Sequence, residues 1–292
     1  MKFYIVDAFT QELFGGNPAG VVVVGPRQDF PSEEIMQKTA AELRYSETAF
    51  VKKLDDRTFW TRYFTPEAEV DLCGHATIAT FHALRQEKII PAKAQLLNRT
   101  KAGDLSIVVN DGQIYMEMGR PKALGVIGDQ ADMAEIYHGL GIGEVVDRLG
   151  NKLLPEIVST GLPDILVPVP DETILNAIKP DFRAISQLSE KHQVVGVHVF
   201  TVGSDSLFHV RNFAPLYGID EEAATGTANG ALTYYLHRHG LIQPNAETVF
   251  IQGEAMARPS RVSAVLSQPD GAIRIFVGGQ AVSLASGHIS LY

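Results

Sequence analysis

The chain has 292 residues, 45% apolar and 20% charged, enough to bury a sizeable core in one large domain or two of ordinary size. Its formal net charge is −9 and no Lys/Arg run is dense enough to neutralise a phosphate backbone, which argues against nucleic acid as a partner. No stretch approaches the ~20 apolar residues of a membrane helix, residues 1–7 lack the apolar run of a signal peptide, and Cys73 is the single cysteine. A soluble, cytoplasmic protein is therefore expected, without an intrachain disulfide, a multi-thiolate zinc site or a two-thiol mechanism.

In chain order, strands are expected at Tyr4–Asp7, Gly20–Val24, Thr48–Val51 and Arg57–Phe64. An amphipathic helix precedes the third, from a Ser32 cap through Ile35, Met36, Thr39, Ala40 and Leu43. Ala76–Leu84 is apolar nearly all round, the pattern of a helix buried inside curved sheet, and Ala228–Leu236 is nearly so. Asn110-Asp111-Gly112 and Pro269-Asp270-Gly271 are turn signals between alternating strands.

These features recur in pairs. Gly16-Asn17-Pro18-Ala19-Gly20 is echoed by Gly161-Leu162-Pro163-Asp164-Ile165. Arg62-Tyr63-Phe64-Thr65-Pro66 leads into Gly74-His75-Ala76, as Arg211-Asn212-Phe213-Ala214-Pro215 leads into Gly226-Thr227-Ala228. Three echoes in one order argue duplication. The expected fold is α+β, two pseudo-symmetric halves, each a curved, mostly antiparallel sheet around a central helix. The halves are placed at residues 1–117 plus 281–292 and at 118–280, the strand Ala281–Tyr292 crossing back to the first. A cleft between such halves is the default place for a ligand.

Each buried helix opens with glycine and a small polar residue, so backbone N–H groups and the positive dipole end can take a carboxylate. The plain alternative is that Gly74 and Gly226 merely permit tight helix entry. His75 lies in a first helical turn, where a cationic ring opposes the dipole and a neutral one can donate to an anion. Glu47 sits between helix and strand, as a solvated edge acid or as one turned inward. Glu222 precedes the second helix, as a site group or as ordinary N-terminal acid enrichment. Cys73 is a nucleophile activated by the helix start or a buried structural cysteine; its counterpart in the other half is Thr225.

Together, Val6-Asp7-Ala8-Phe9-Thr10, Gly16-Asn17-Pro18-Ala19, Ser46-Glu47-Thr48-Ala49-Phe50, Cys73-Gly74-His75-Ala76-Thr77, Ala224-Thr225-Gly226-Thr227-Ala228-Asn229 and Arg258-Pro259-Ser260 resemble the PhzF-like family, whose fold is that of diaminopimelate epimerase. The resemblance implies an isomerase in which Glu47 is the acid/base, while His75, Glu222 and Thr227 line the pocket and Gly74 and Gly226 hold the substrate carboxylate. It also implies a homodimer and no metal or redox cofactor. Two departures are present: Glu222 replaces the usual aspartate and Thr227 the usual serine. The extra methylene shifts a carboxylate by about 1 Å, and misplacement on that scale costs on the order of 10²-fold in rate.

The expected chemistry is a proton shift on a small, cyclic or amino-acid-like carboxylate, with burial raising the pKa of Glu47 toward working pH. An epimerase using Glu47 with Glu222 or His75 as a second base, or a small-acid binding protein without turnover, are the alternatives.

Overall fold

The computed structural model describes residues 1–142 and 153–291. It divides into two compact units, one of Met1–Glu117 together with the residues from Gly278 onward, the other of Met118–Val277. The first holds β1 (Lys2–Ala8), β2 (Asn17–Val23), α1 (Glu33–Leu43), β3 (Thr48–Lys53), β4 (Thr58–Phe64), β5 (Glu69–Val70), α2 (Gly74–Gln86), β6 (Lys93–Thr100), β7 (Gly103–Asn110) and β8 (Gln113–Glu117). The second holds β9 (Lys122–Val126), α3 (Gln130–Leu140), β10 (Glu156–Ser159), β11 (Pro163–Pro168), α4 (Glu172–Ala177), α5 (Phe182–His192), β12 (Gly196–Val202), β13 (Phe208–Ala214), β14 (Ile219–Glu222), α6 (Gly226–Arg238), β15 (Glu247–Gln252) and β16 (Ser260–Ser267). The chain then runs through β17 (Arg274–Gly279) into β18 (Ala281–His288). Of the expected strand Ala281–Tyr292, Tyr292 lies outside the described residues. No helix among the described residues is long and apolar enough to cross a membrane.

In the first unit the strands pair in the order β18-β1-β2-β3-β4-β6-β7-β8, with β5 beside the end of β4. Only β2–β3 and β4–β6 are parallel. These are the two pairs joined across a helix, the connection that parallel strands require. In the second unit the order is β9-β10-β11-β12-β13-β15-β16, with β14 beside the end of β13. Again only the pairs bridged by helices, β11–β12 and β13–β15, are parallel. The ladders match over their first seven strands, β18 standing to β1 as β9 stands to β10. The fold is α+β, and α2 packs on β1, β2, β3, β8 and β18, strands from both ends of the ladder, so the sheet curls round it.

Strand alternation decides what α2 meets. On β4, Phe59, Thr61 and Tyr63 are fully buried, and Phe59 stacks edge-on against Phe81 of α2. Phe64, on the opposite face, packs with Met36 and Ala40 of α1. Beside it Arg62 makes a two-pronged bond to Glu69 (2.7 and 2.8 Å) and lies over the Phe64 ring. The second unit repeats this: Arg211 grips Glu221 at 2.9 and 2.8 Å and lies over Phe213. The echo seen in the sequence is thus one physical device used twice, a bidentate guanidinium fixing the short strand before each buried helix.

Three helices, α3, α4 and α5, are absent from the sequence expectations. Each starts at an aspartate, Asp129, Asp171 and Asp181, whose side chain accepts a first-turn N–H. They cover the outer face of the second sheet around Ile136, Leu175, Ile185 and Val197. Between β7 and β8 the two-residue turn places Asp111 at φ 47° and Gly112 at φ 100°, the left-handed pair a tight hairpin needs.

A buried polar chain runs across the first unit beneath α2. Thr61 Oγ1 donates to Asn98 Oδ1 (2.6 Å), and Asn98 Nδ2 donates to the Tyr63 hydroxyl (3.0 Å). Tyr63 then meets Thr77 Oγ1 (2.6 Å), which donates to the Cys73 carbonyl (2.7 Å). Tyr63→Phe removes the middle link and strands the Asn98 amide, a cost of about 1–3 kcal/mol. The expected result is a lower urea midpoint at unchanged m-value.

Candidate active site

Ser46 and Glu47 enter β3 directly after the turn that ends α1, where Arg44 takes the left-handed cap conformation. The next turn of structure that concerns them is the start of α2. Its N-cap, Cys73, is extended at φ −142° and makes no well-aligned side-chain cap hydrogen bond. His75, 3% exposed, points back from the first turn. Its Nε2 lies 3.2 Å from Glu47 Oε2 and 3.2 Å from Ser46 Oγ. Its Nδ1 lies 3.2 Å from Asn17 Nδ2 and 3.4 Å from Cys73 Sγ. Glu47, His75, Cys73, Ser46 and Asn17 therefore form one buried cluster within the first unit.

Its electrostatics differ from the sequence expectation. Burial alone pushes the Glu47 carboxyl up, but the His75 charge, helped by Ser46 and Cys73, outweighs it and holds the group below its usual range. Burial likewise pushes His75 down, and Cys73 and Glu47 together raise it well above an ordinary imidazole. At neutral pH the pair is carboxylate and imidazolium, so the histidine is cationic at a helix N-terminus despite the dipole. Cys73 goes the other way: burial and the nearby Glu47 push its thiol up to about 11. The reading of Cys73 as an activated nucleophile is not supported by that environment. Glu47 Oε2, buried, accepts no well-aligned hydrogen bond.

Glu47, Cys73 and His75 each offer one ligand atom, all within 4.8 Å of one another. A divalent cation there would have to displace protons from both His75 and Cys73, which makes any affinity strongly pH-dependent.

In the second unit Glu222 ends β14 and Gly226 begins α6. Thr225, the N-cap, does not cap the helix with its hydroxyl, which donates instead to Glu222 Oε2 at 2.6 Å. Gln252 of β15 locks the segment. Its Nε2 donates to the Glu222 carbonyl (2.8 Å) and to Thr225 Oγ1 (3.0 Å), while its Oε1 accepts from Thr225 N (3.1 Å) and Asn229 Nδ2 (3.0 Å). The Thr227 carbonyl accepts from Thr160 Oγ1 at 3.1 Å. His198, buried between Asn212 (3.0 Å) and Asn229 (3.3 Å), is kept neutral, pushed down to about 4 by burial.

The structure thus gathers Glu47, Gly74 and His75 in one unit and Glu222, Gly226 and Thr227 in the other. Four neighbours had been given no role. Asn17 and Ser46 sit inside quoted motifs, so the motifs themselves are the signal for them. Gln252 and His198 are single residues in apolar strands, with no local signal at all.

The pair predicts a titration. His75, followed by ring-proton NMR, is expected to titrate above 6.5 in the wild type and lower in Glu47→Gln, where Cys73 alone is left to oppose burial. For stability, the lowered Glu47 contributes above the unfolded carboxyl pKa and loses that contribution as pH falls through its folded value. The raised His75 contributes below 6.5 and loses that contribution as pH rises through its own.

Comparison with known proteins places the chain. The family model described as phenazine biosynthesis-like protein matches residues 6–287. An uncharacterized isomerase of Clostridium acetobutylicum is 36% identical over 294 residues, covering 96% of this chain and 95% of that one. The crystal structure of the Bacillus anthracis phenazine biosynthesis protein of the PhzF family superposes with a TM-score of 0.87 at 28% identity, covering 99% of both chains. A probable proline racemase from Agrobacterium radiobacter shares the fold, with a TM-score of 0.66 at 12% identity, covering 100% of this chain and 93% of that one.

Proposed function

The chain belongs to the phenazine biosynthesis-like family and is an isomerase of that family, and from this premise we propose that Glu47 is its acid/base in a proton shift on a small carboxylate-bearing substrate. The observation that carries the proposal is the state of the Glu47 carboxylate. It is buried and held ionised by His75 at 3.2 Å, and its Oε2 has no well-aligned donor. Such an oxygen is a base ready to take a proton from an activated carbon.

Once Glu47 is protonated the ion pair is lost, and the imidazolium beside it favours return of the proton to the substrate. Removal and return through one carboxyl group give a shift along a conjugated system with no net change in protons. The same glutamate therefore serves as base and then as acid, and no redox step is required. His75 fixes the ionisation of Glu47, while Ser46 Oγ, 3.2 Å from Nε2, can accept from the imidazolium and helps to fix its ring plane.

The backbone N–H groups at the start of α2, from Gly74, suit a substrate carboxylate, since they stand at the positive end of the helix dipole. Those at the start of α6, from Gly226 and Thr227, have the same property. Glu222 is proposed to line the substrate site, its extra methylene being accommodated by the bond to Thr225. The substrate class is a cyclic or amino-acid-like acid, and the working form is proposed to be a homodimer. A two-base epimerisation is the second reading, favoured by the presence of a second carboxylate, Glu222, beside a buried helix start.

Proton NMR in deuterium oxide tests this, with dihydro-hydroxyanthranilate and a panel of cyclic and amino-acid-like carboxylates. Deuterium uptake and product in the wild type, reduced about 10²- to 10⁴-fold in Glu47→Gln, are expected. Unchanged uptake in Glu47→Gln removes it as the base, and inversion of a chiral centre without a shift selects epimerisation. kcat/KM is expected to fall on the acid side below 4.5 as Glu47 takes a proton, and on the alkaline side above 6.5 as His75 loses one; both limbs belong to the pair.

A further inference from the structure

We propose that His209, in its protonated form, is a positioning residue that clasps the turn after β15, the turn that anchors Gln252 against the start of α6. His209 stands on β13, opposite Thr201 of β12 and beside Ile251 of β15, and is 7% exposed. Its Nδ1 lies 2.8 Å from Glu254 Oε2, in the turn after β15. Its Nε2 lies 3.3 Å from Asp205 Oδ1, in the β12–β13 turn, and 3.4 Å from Glu172 Oε1, at the start of α4. An ionised carboxylate only accepts, so a ring with carboxylate oxygens at both nitrogens is an imidazolium donating from each side. Backbone prepares the place. The Ser204 N–H holds Glu172 Oε2 at 3.1 Å and the Leu207 N–H holds Asp205 Oδ1 at 2.9 Å. A Cβ at Gly203 would come within 2.5 Å of the ring carbon Cδ2 and 2.6 Å of Nε2, so glycine there leaves the imidazole its room.

The other charged groups on the elements around His209 are engaged, exposed or turned elsewhere. Arg211, two residues along β13, is taken by Glu221 of β14 and by the carbonyls of Leu175 and Ile178, and Asp220 of β14 is exposed. Asp171 caps α4. Lys191 of α5 is taken by Asp132 and Glu135, Arg183 and Glu190 are exposed, and His192 ends that helix close to Gly196, at the other end of β12. Arg261 of β16, opposite Ile251, is exposed. His198 of β12 is neutral and, by alternation, on the opposite face. Burial pushes His209 down, but Glu254, Asp205 and Glu172 outweigh it and hold the ring above its ordinary value.

The clasp reaches the helix start through one residue. Gly253, between Gln252 and Glu254, has φ 79° and lies so close to the segment before α6 that a Cβ there would meet the Ala223 carbonyl oxygen at 2.8 Å. On its one side Gln252 donates to the Glu222 carbonyl and accepts from the Thr225 N–H; on the other Glu254 is held by His209. The Arg258-Pro259-Ser260 motif closes the same turn, the Arg258 N–H donating to the Gly253 carbonyl at 3.0 Å. When His209 loses its proton, one ring nitrogen becomes an acceptor facing a carboxylate, and the attraction that gathers three acids is gone. Glu254, about half exposed, is the partner able to turn into water. The contribution of a raised histidine is present below 6.5 and lost as pH rises through its folded value, so the turn loosens on the alkaline side. What this does to a substrate rests on the reading of the α6 start as a carboxylate site; the clasp itself does not.

Amide hydrogen exchange, followed by NMR on the intact protein, tests this without any substrate, so a failure strikes the clasp and not the proposed reaction. The probe is the Thr225 N–H, whose acceptor is Gln252 Oε1, and the amides of β11 are the control. Wild-type protection of Thr225, taken relative to the unfolded rate at each pH, is expected to fall about 2- to 5-fold as pH rises through the His209 titration, with the β11 amides unmoved. In His209→Gln and in Glu254→Gln it is expected to stay at the low level at every pH. Glu254 is about half exposed, so its variant keeps the test open where His209→Gln does not fold. His209, read by ring-proton NMR, is expected to titrate above 6.5 in the wild type and lower in Glu254→Gln. Thr225 protection that does not change with pH in the wild type, a wild-type pH profile retained in Glu254→Gln, or His209 titrating at or below 6.5 would each overturn the proposal.

Discussion

A helix enclosed by sheet has no water to satisfy its polar groups, and that constraint organises the rest of this molecule. α2 is buried from His75 to Leu84, and α6 buries nine of its thirteen residues. Each therefore needs an internal polar partner at its start, where first-turn N–H groups are otherwise orphaned. In the first unit the Tyr63–Thr77 chain ends on the Cys73 carbonyl, and in the second Gln252 closes on Thr225.

The same scaffold has been filled in two chemically different ways. Beside α2, a carboxylate meets a histidine and the pair separates into charges. Beside α6, the carboxylate of Glu222 accepts from the N-cap hydroxyl of Thr225, and His198, flanked by asparagines, stays neutral. Similar backbone ladders thus leave one helix start beside a carboxylate–histidine pair, the other beside a carboxylate held by the N-cap threonine.

Much of this could be read from sequence because it depends on neighbours along the chain. The all-apolar stretches Ala76–Leu84 and Ala228–Leu236, the Ser32 cap and the paired Arg-x-Phe segments each report a local environment that repeats with helix or strand period. The direction of the Glu47 shift could not be read, since it depends on His75, twenty-eight residues away, lying at 3.2 Å. Burial was foreseen and the opposing charge was not. Gln252 and His198 escaped for a similar reason: each is one polar residue in an apolar strand, informative only once the opposite element is in place. The helices α3, α4 and α5 were within reach, as each carries an aspartate cap.

The pairing of β18 with β1 has a consequence for how the first unit is made. β1 is synthesised long before β18, one of its two partners, to which it pairs through Val6 to Ser283 and Ala8 to Ala281. During synthesis β1 therefore carries an unpaired edge until β18 has been made, whereas β10 finds β9 already made on one side. An exposed edge is a template for wrong pairings, and the wait lengthens with the sequence separation. The unit that holds the proposed base is thus the one whose sheet closes last, and a nascent chain stopped before β18 has no finished first unit to release.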